Sequence, residues 1–207
     1  MKIEALLFDL GKVLVDFNFD LGMQRFASRS RLEREAFARV LFDEAWLPRY
    51  ERGEISSAQY HRHLCDTGGL DMCLEEFHNS WSSVFLPDLL IPESVIAGLS
   101  ERYPLILVSN TNESHVRYIE QNYSVLRHFD ARIFSHQVGS LKPDRLIYEA
   151  AIAAARHPAD TLFFTDDREE NIRGARDLGI HAHQFTSSTK LMNALREHGV
   201  DIEGIGI

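Results

Sequence analysis

The chain has 207 residues, 44% of them hydrophobic, which is enough for one substantial core with sequence left for an inserted subdomain. Its 31 acidic against 22 basic residues leave a formal net charge of -9, which repels nucleic acid and anionic membranes, so neither is expected as a partner. No run of about 18 uncharged apolar residues is long enough to span a bilayer. Met1-Lys2-Ile3-Glu4 passes straight into an apolar run without a signal-like pattern, so a cytoplasmic monomer or small homo-oligomer is expected. Cys65 and Cys73 are too few for a disulfide framework and lack metal-site spacing, and read as two buried thiols in a reduced compartment.

The first predicted element is a strand, Ala5-Leu6-Leu7-Phe8, with the continuous hydrophobicity of a strand buried on both faces. Such a strand delivers the next residue, Asp9, to the ligand crevice at the carboxyl end of the sheet, which makes Asp9 a candidate nucleophile. From Leu21 to about Phe85 the pattern is helix after helix. Ser30-x-x-Glu33 and Ser56-x-x-Gln59 read as capping boxes. Leu32, Ala36, Val40 and Leu41 share one helical face, as do Tyr60, Leu64 and Thr67. A four-helix insertion is the natural reading, with Pro87 and Pro92 bracketing the return.

Beyond Pro92 helices and strands alternate. Strands are predicted at Leu105–Val108, Ala131–Phe134, Thr161–Phe164 and His181–Gln184. Helices are predicted near Glu93–Arg102, Glu113–Gln121, Pro143–Ala155, Glu170–Leu178 and Thr189–His198, with Gly179 as a left-handed helix stop. That alternation implies an α/β fold, a Rossmann-like doubly wound parallel sheet. The expected organisation is a core of residues 1–16 and 88–207 and a helical cap of residues 17–87.

Further polar signals follow the apolar runs: Ser109-Asn110-Thr111-Asn112, Lys142-Pro143, and Asp166-Asp167. Asp9 with Asp166 and Asp167 makes the oxygen-rich set that magnesium prefers. Ser109 and Asn110 can hold a phosphate at a helix start, although an ordinary N-cap explains Asn112 as well. The Lys142 ammonium can point at that phosphate and at Asp9.

The four segments, in this order, resemble the motif series of the haloacid dehalogenase-like hydrolase superfamily, and are most similar to the group of α-D-glucose-1-phosphate phosphatases that carries Glu51-Arg52-Gly53-Glu54-Ile55 in a helical cap. The resemblance implies a magnesium-dependent phosphatase acting on a small phosphorylated metabolite, such as a sugar phosphate, through an aspartyl-phosphate. It assigns Asp9 and Lys142 to catalysis, and Ser109, Asn110 and Lys142 to the substrate's phosphate. Asp9, Asp167 and the Gly11 carbonyl become magnesium ligands, with Asp166 reaching the ion through water. Asn171 steadies the loop.

The sequence departs from the pattern at Gly11, where most such phosphatases place a second aspartate that protonates the leaving oxygen. General acids contribute ~10²–10⁴-fold, so good leaving groups are expected to be favoured. His115 is a conceivable substitute, although a solvated helix histidine is the plainer reading, and Asp16 reads as a hinge residue. Phe17, Trp46, Tyr50, Glu51 and Arg52 are unranked candidates for contact with the sugar. Two other readings are a 2-haloacid dehalogenase of the same fold and a non-catalytic regulator that binds phosphate esters.

Overall fold

The computed structural model describes residues 2–206. Its strands are β1 (Ala5–Phe8), β2 (Val15–Phe17), β3 (Phe85–Leu89), β4 (Leu105–Ser109), β5 (Ala131–Phe134), β6 (Leu162–Asp166) and β7 (His181–Gln184). Five of them form one parallel sheet in the order β5-β4-β1-β6-β7. The chain leaves β1 toward β4 and β5, then returns to its other side for β6 and β7. The C-terminal end of β1 is therefore the switch point of a doubly wound sheet, where ligands of such folds bind.

The apolar runs make strands because side chains alternate across the pleat and both faces are covered. Leu6, Phe8, Leu105, Leu107 and Phe163 pack on one side. Ala5, Leu7, Ile106, Val108, Leu162 and Phe164 pack on the other. Strand β6 starts one residue later than expected and runs on to Asp166, so the first acid of the pair ends the strand rather than following it.

Between β2 and β3 lie α1 (Phe19–Ala27), α2 (Arg34–Leu41), α3 (Leu47–Glu51), α4 (Ser57–Gly68) and α5 (Leu74–Ser82). The insertion thus has five helices, one more than predicted, because the five-residue α3 is too short to show a periodic pattern. It has its own core, in which Phe26, Phe37, Tyr60, Phe77 and Trp81 are fully or almost fully buried. The antiparallel β2–β3 ribbon carries the chain in and out. Each predicted boundary, at 16/17 and 87/88, falls inside one of its strands.

Local details divide. The Ser56 capping box is present, with the Ser56 hydroxyl accepting from Gln59 N–H and the Gln59 side chain accepting from Ser56 N–H, an arrangement worth about 1 kcal/mol. The box at Ser30 is not. Glu33 occupies the N-cap of α2, and the Ser30 hydroxyl donates instead to the Gly68 carbonyl across the insertion. Phe37 and Leu41 are the buried residues of α2, and Thr67, expected on the buried face of α4, is exposed, its place against Phe37 being taken by Gly68. Cys65 is half-buried and Cys73 exposed, so the expectation of two buried thiols is corrected.

The remaining helices are α6 (Glu93–Ser100), α7 (Glu113–Asn122), α8 (Ser135–Val138), α9 (Arg145–Ala155), α10 (Glu169–Arg176) and α11 (Ser188–Glu197). Gly179 has φ +85°, the left-handed value expected of it. Helix α9 begins at Arg145 rather than at Pro143, which leaves Lys142-Pro143 in a loop facing the switch point. Among the described residues no helix is long and apolar enough to cross a membrane.

Candidate active site

Asp9 follows β1, Ser109 ends β4 and Asp166 ends β6, and because β1 pairs with both neighbours the three meet at one point. Asp9, Asp166 and Asp167 each offer an oxygen within 4.8 Å of the others. Into this cluster the loop before α9 inserts Lys142, almost completely buried. Its Nζ lies 2.7 Å from Asp9 Oδ1, 2.6 Å from Asp166 Oδ2 and 2.8 Å from the Val108 carbonyl. An ammonium has three donors, and all three are used. Burial works against the Lys142 charge, but the Asp166 and Asp9 carboxylates outweigh it and hold the group charged above its ordinary range.

Burial is also the largest influence on Asp9. Helped by Asp166 and opposed by Lys142, it pushes the Asp9 carboxyl up to about 7. Asp167 is raised by burial and by Asp166. With all three carboxyl groups ionised beside one ammonium, two negative charges stand uncompensated, and a divalent hard cation offsets that deficit in place of protons.

The donor set fits such a cation. Asp9, Gly11 and Asp167 line a cavity of about 250 Å³. Asp166 is sealed from it, one oxygen accepting from Lys142 and the other from Arg168 N–H, with the Asn171 amide on both. Asp166 is thereby suited to order its neighbours rather than to coordinate directly. Asn171 Oδ1 is buried with no partner among the described residues, an acceptor that a cation-bound water can satisfy.

The phosphate-binding candidates separate. The Ser109 hydroxyl lines the cavity and has only a long 3.5 Å contact to the Asn110 carbonyl. Asn110 also lines it, but its side-chain amide clamps the Lys142 backbone, donating 2.9 Å to Lys142 O and accepting from Lys142 N at 2.7 Å. What remains for a phosphate is the Asn110 backbone N–H. Asn112 caps α7, accepting from His115 N–H.

His115 is not the solvated histidine expected from the sequence. It is buried between Trp81 and Phe85, and burial holds its imidazole down at about 4. With Nε2 3.1 Å from the Trp81 carbonyl, the neutral ring carries its proton there and donates it to that oxygen. It has no proton to give at neutral pH.

Of the five candidates for sugar contact, Phe17 and Glu51 line the cavity. Tyr50 is buried in the insertion, its hydroxyl 2.5 Å from Ser114 Oγ of α7. Trp46 stacks on His63, and Arg52 pairs with Asp144 at 3.5 Å. Sequence reasoning missed Lys12, Phe19, Phe85 and Arg168, which also line the cavity. Lys12 and Arg168 adjoin motif residues in sequence but Phe19 and Phe85 do not, and no periodicity marks a residue that faces a crevice.

A doubly wound sheet with an acid-lined crevice at its switch point marks an α/β enzyme that handles cation-bound, anionic ligands. The chain belongs to the haloacid dehalogenase-like hydrolases: the model of that family matches residues 3–179. It is 26% identical over 189 residues to a D-ribitol-5-phosphate phosphatase of Bacteroides thetaiotaomicron, covering 88% of this chain and 91% of that one. A HAD family enzyme of the same organism, solved as a magnesium complex, superposes with a TM-score of 0.80 at 25% identity, covering 95% of this chain and all of that one. A HAD-like family hydrolase of Porphyromonas gingivalis superposes with a TM-score of 0.80 at 24% identity, over 97% of this chain and all of that one.

Proposed function

We propose that the chain is a magnesium-dependent phosphatase of a small phosphorylated sugar or polyol, working through an aspartyl-phosphate on Asp9. The observation that carries this reading is the convergence of Asp9, Asp167 and a fully hydrogen-bonded Lys142 on one small cavity. Lys142 pins one oxygen of Asp9, which orients the carboxylate so that its other oxygen can attack phosphorus. Ser109 and the Asn110 N–H cradle the phosphoryl oxygens. Asp9, Asp167 and the Gly11 carbonyl would hold magnesium, which supplies neutralisation of the charge that spreads over the transferring phosphoryl group. Asp166 and Asn171 keep Lys142 and the Asp167 loop in place.

Residues 17–87 act as a cap that excludes water and sets the size of the alcohol. A cavity of about 250 Å³ suits a small metabolite. The relatedness to a D-ribitol-5-phosphate phosphatase supports a polyol or sugar phosphate. Ribitol 5-phosphate is the ester of a primary alcohol, a poor leaving group. The confinement to good leaving groups argued from Gly11 therefore holds only if no other group protonates the departing oxygen.

A screen of sugar and polyol phosphates with magnesium tests the reading. Phosphate release is expected, and Asp9→Asn should abolish it while leaving the fold intact. Turnover that survives chelation, or persists in Asp9→Asn, would overturn the assignment. Magnesium-independent release of halide from a haloacid would favour the dehalogenase reading.

A further inference from the structure

Breaking an alkyl ester at phosphorus needs a proton for the departing oxygen, and the aspartate expected to deliver it is replaced by Gly11. Most of the polar groups lining the cavity are committed elsewhere. Lys142 has no donor to spare, and its ammonium is held charged by two carboxylates. Lys12 donates to Asp16 and to the Phe17 carbonyl. His115 is neutral, its N–H given to Trp81. Arg168 is a permanent cation held by Glu170. Asp9 is the nucleophile and Asp167 faces the cation position. Of the carboxyl groups that line the cavity, one is left without a role, Glu51.

Glu51 is the last residue of α3 and reaches the cavity from the insertion, whereas Asp9 and Asp167 belong to the sheet side. Its backbone is built into place. The Ser135 hydroxyl donates 2.7 Å to the Glu51 carbonyl, and Arg52 pairs with Asp144. Gly53, at φ +70°, lies so close to the core that a Cβ would meet the His136 carbonyl oxygen at 2.1 Å. Against this anchored backbone the Glu51 carboxyl makes no hydrogen bond or ion pair among the described residues. An acid that is fastened by its backbone, free at its side chain and turned to a cavity is arranged for a ligand.

We propose that Glu51 is the general acid of the reaction, donating its proton to the leaving oxygen as Asp9 takes the phosphoryl group; this rests on the phosphatase reading above. In the first step an Asp9 oxygen forms a bond to phosphorus. The P–O bond to the alcohol breaks with its electron pair on oxygen, and that oxygen takes the Glu51 proton. In the second step water attacks phosphorus, the Glu51 carboxylate accepts the water's proton, and the bond to Asp9 breaks. Phosphate leaves with both carboxyl groups restored.

The surroundings of Glu51 suit the role. Burial pushes its carboxyl up to about 7, against the pull of Arg168 from the loop after β6 and of Arg52 beside it. Tyr60 of α4 is a further titratable neighbour, and burial keeps that phenol un-ionised. Asp9, Asp167, Lys142 and Lys12 face the same cavity. A proton donor with such a value is loaded below neutrality and empty above it.

Benzyl phosphate and 4-nitrophenyl phosphate, similar in size, differ in the need for that proton. With magnesium saturating, Glu51→Gln should lower kcat on benzyl phosphate by ~10²-fold or more and on 4-nitrophenyl phosphate only slightly. Wild-type kcat/KM for the benzyl ester should fall as pH rises through about 7, and that limb should be missing in Glu51→Gln. Glu51→Asp, which keeps a carboxyl, should retain the limb at reduced rate. Equal losses on both esters, no loss on either, or a wild-type profile without the limb would each overturn the proposal. Should Glu51→Gln not fold, the wild-type profile and Glu51→Asp decide alone. If the wild type releases phosphate from no ester, the phosphatase reading itself is overturned and this proposal with it.

Discussion

The Phe17 ring stands where a side chain on residue 11 would go: a Cβ added to Gly11 would lie 2.9 Å from Phe17 Cε1. Phe17 is held there by Phe19 and Phe85, with ring centroids 5.0 and 6.4 Å away, and by the Lys12 ammonium over its face. The glycine is thus part of how β2 seats against the crevice, and a larger residue has to displace an aromatic ring that also lines the cavity.

Gly11→Ala should therefore destabilise the protein by about 1–3 kcal/mol in thermal or urea denaturation. Trimming the ring in Gly11→Ala/Phe17→Leu should make the pair cost less than the sum of the single changes. Gly11→Asp alone should lower turnover of every ester, whereas sequence reasoning alone expects it to improve alkyl esters. A selective gain for alkyl esters in Gly11→Asp would show that the ring moves aside freely.

Lys142→Met should cost about 3–5 kcal/mol, because Asp9 and Asp166 lose the one cation buried between them. Activity should vanish even with magnesium saturating, since Asp9 is then neither oriented nor kept ionised. Lys142→Arg should not restore it, because a planar fork cannot copy the three directions of the ammonium. A loss of stability under ~1 kcal/mol would contradict the account of the cluster.

Magnesium should raise the melting temperature of the protein in a concentration-dependent way, by binding the folded state alone. Asp167→Ala should lose both this shift and the activity. An undiminished shift in that variant would remove Asp167 from the cation site.

Stability should carry a signature of His115. Its imidazole is held down at about 4 in the fold, while in the unfolded chain it titrates near its ordinary 6.5. Between those values the unfolded chain binds more protons, so this group's contribution is full above about 6.5 and is lost as pH falls through 4. A gap of that size corresponds to about 3 kcal/mol. Comparison with His115→Gln removes the effects of Glu51 and Asp9, whose raised values act in the opposite direction. Between pH 7 and 4 the wild type should lose about 3 kcal/mol more stability than the variant, and parallel pH profiles would refute the burial of a neutral ring.

Much of this architecture is legible in the chain itself. Strands buried on both faces need uninterrupted apolar runs, so Ala5–Phe8, Leu105–Val108 and Leu162–Phe164 announce themselves, and the polar residue that ends each run marks the crevice. That is why Asp9, Ser109, Asp166 and Asp167 could be picked out before any fold was known. The β2–β3 ribbon and α3 stayed hidden, because Asp16, Pro87 and Asp88 interrupt the apolar runs of the two strands and a five-residue helix is too short to show a period.

Which atoms meet was decided only by the tertiary structure. Sequence spacing cannot show that Lys142, 34 residues beyond Val108 and 24 before Asp166, has every donor engaged, or that the Asn110 amide holds the Lys142 backbone instead of a ligand. Nor does it show the Phe17 ring filling the space beside Gly11, His115 sealed under Trp81, or Glu51 left unpaired over the cavity. Local pattern reports how a residue sits relative to its own strand or helix. Hydrogen-bond commitments, burial and the resulting protonation states depend on approaches between distant segments, and those exist only once the sheet and the insertion have packed.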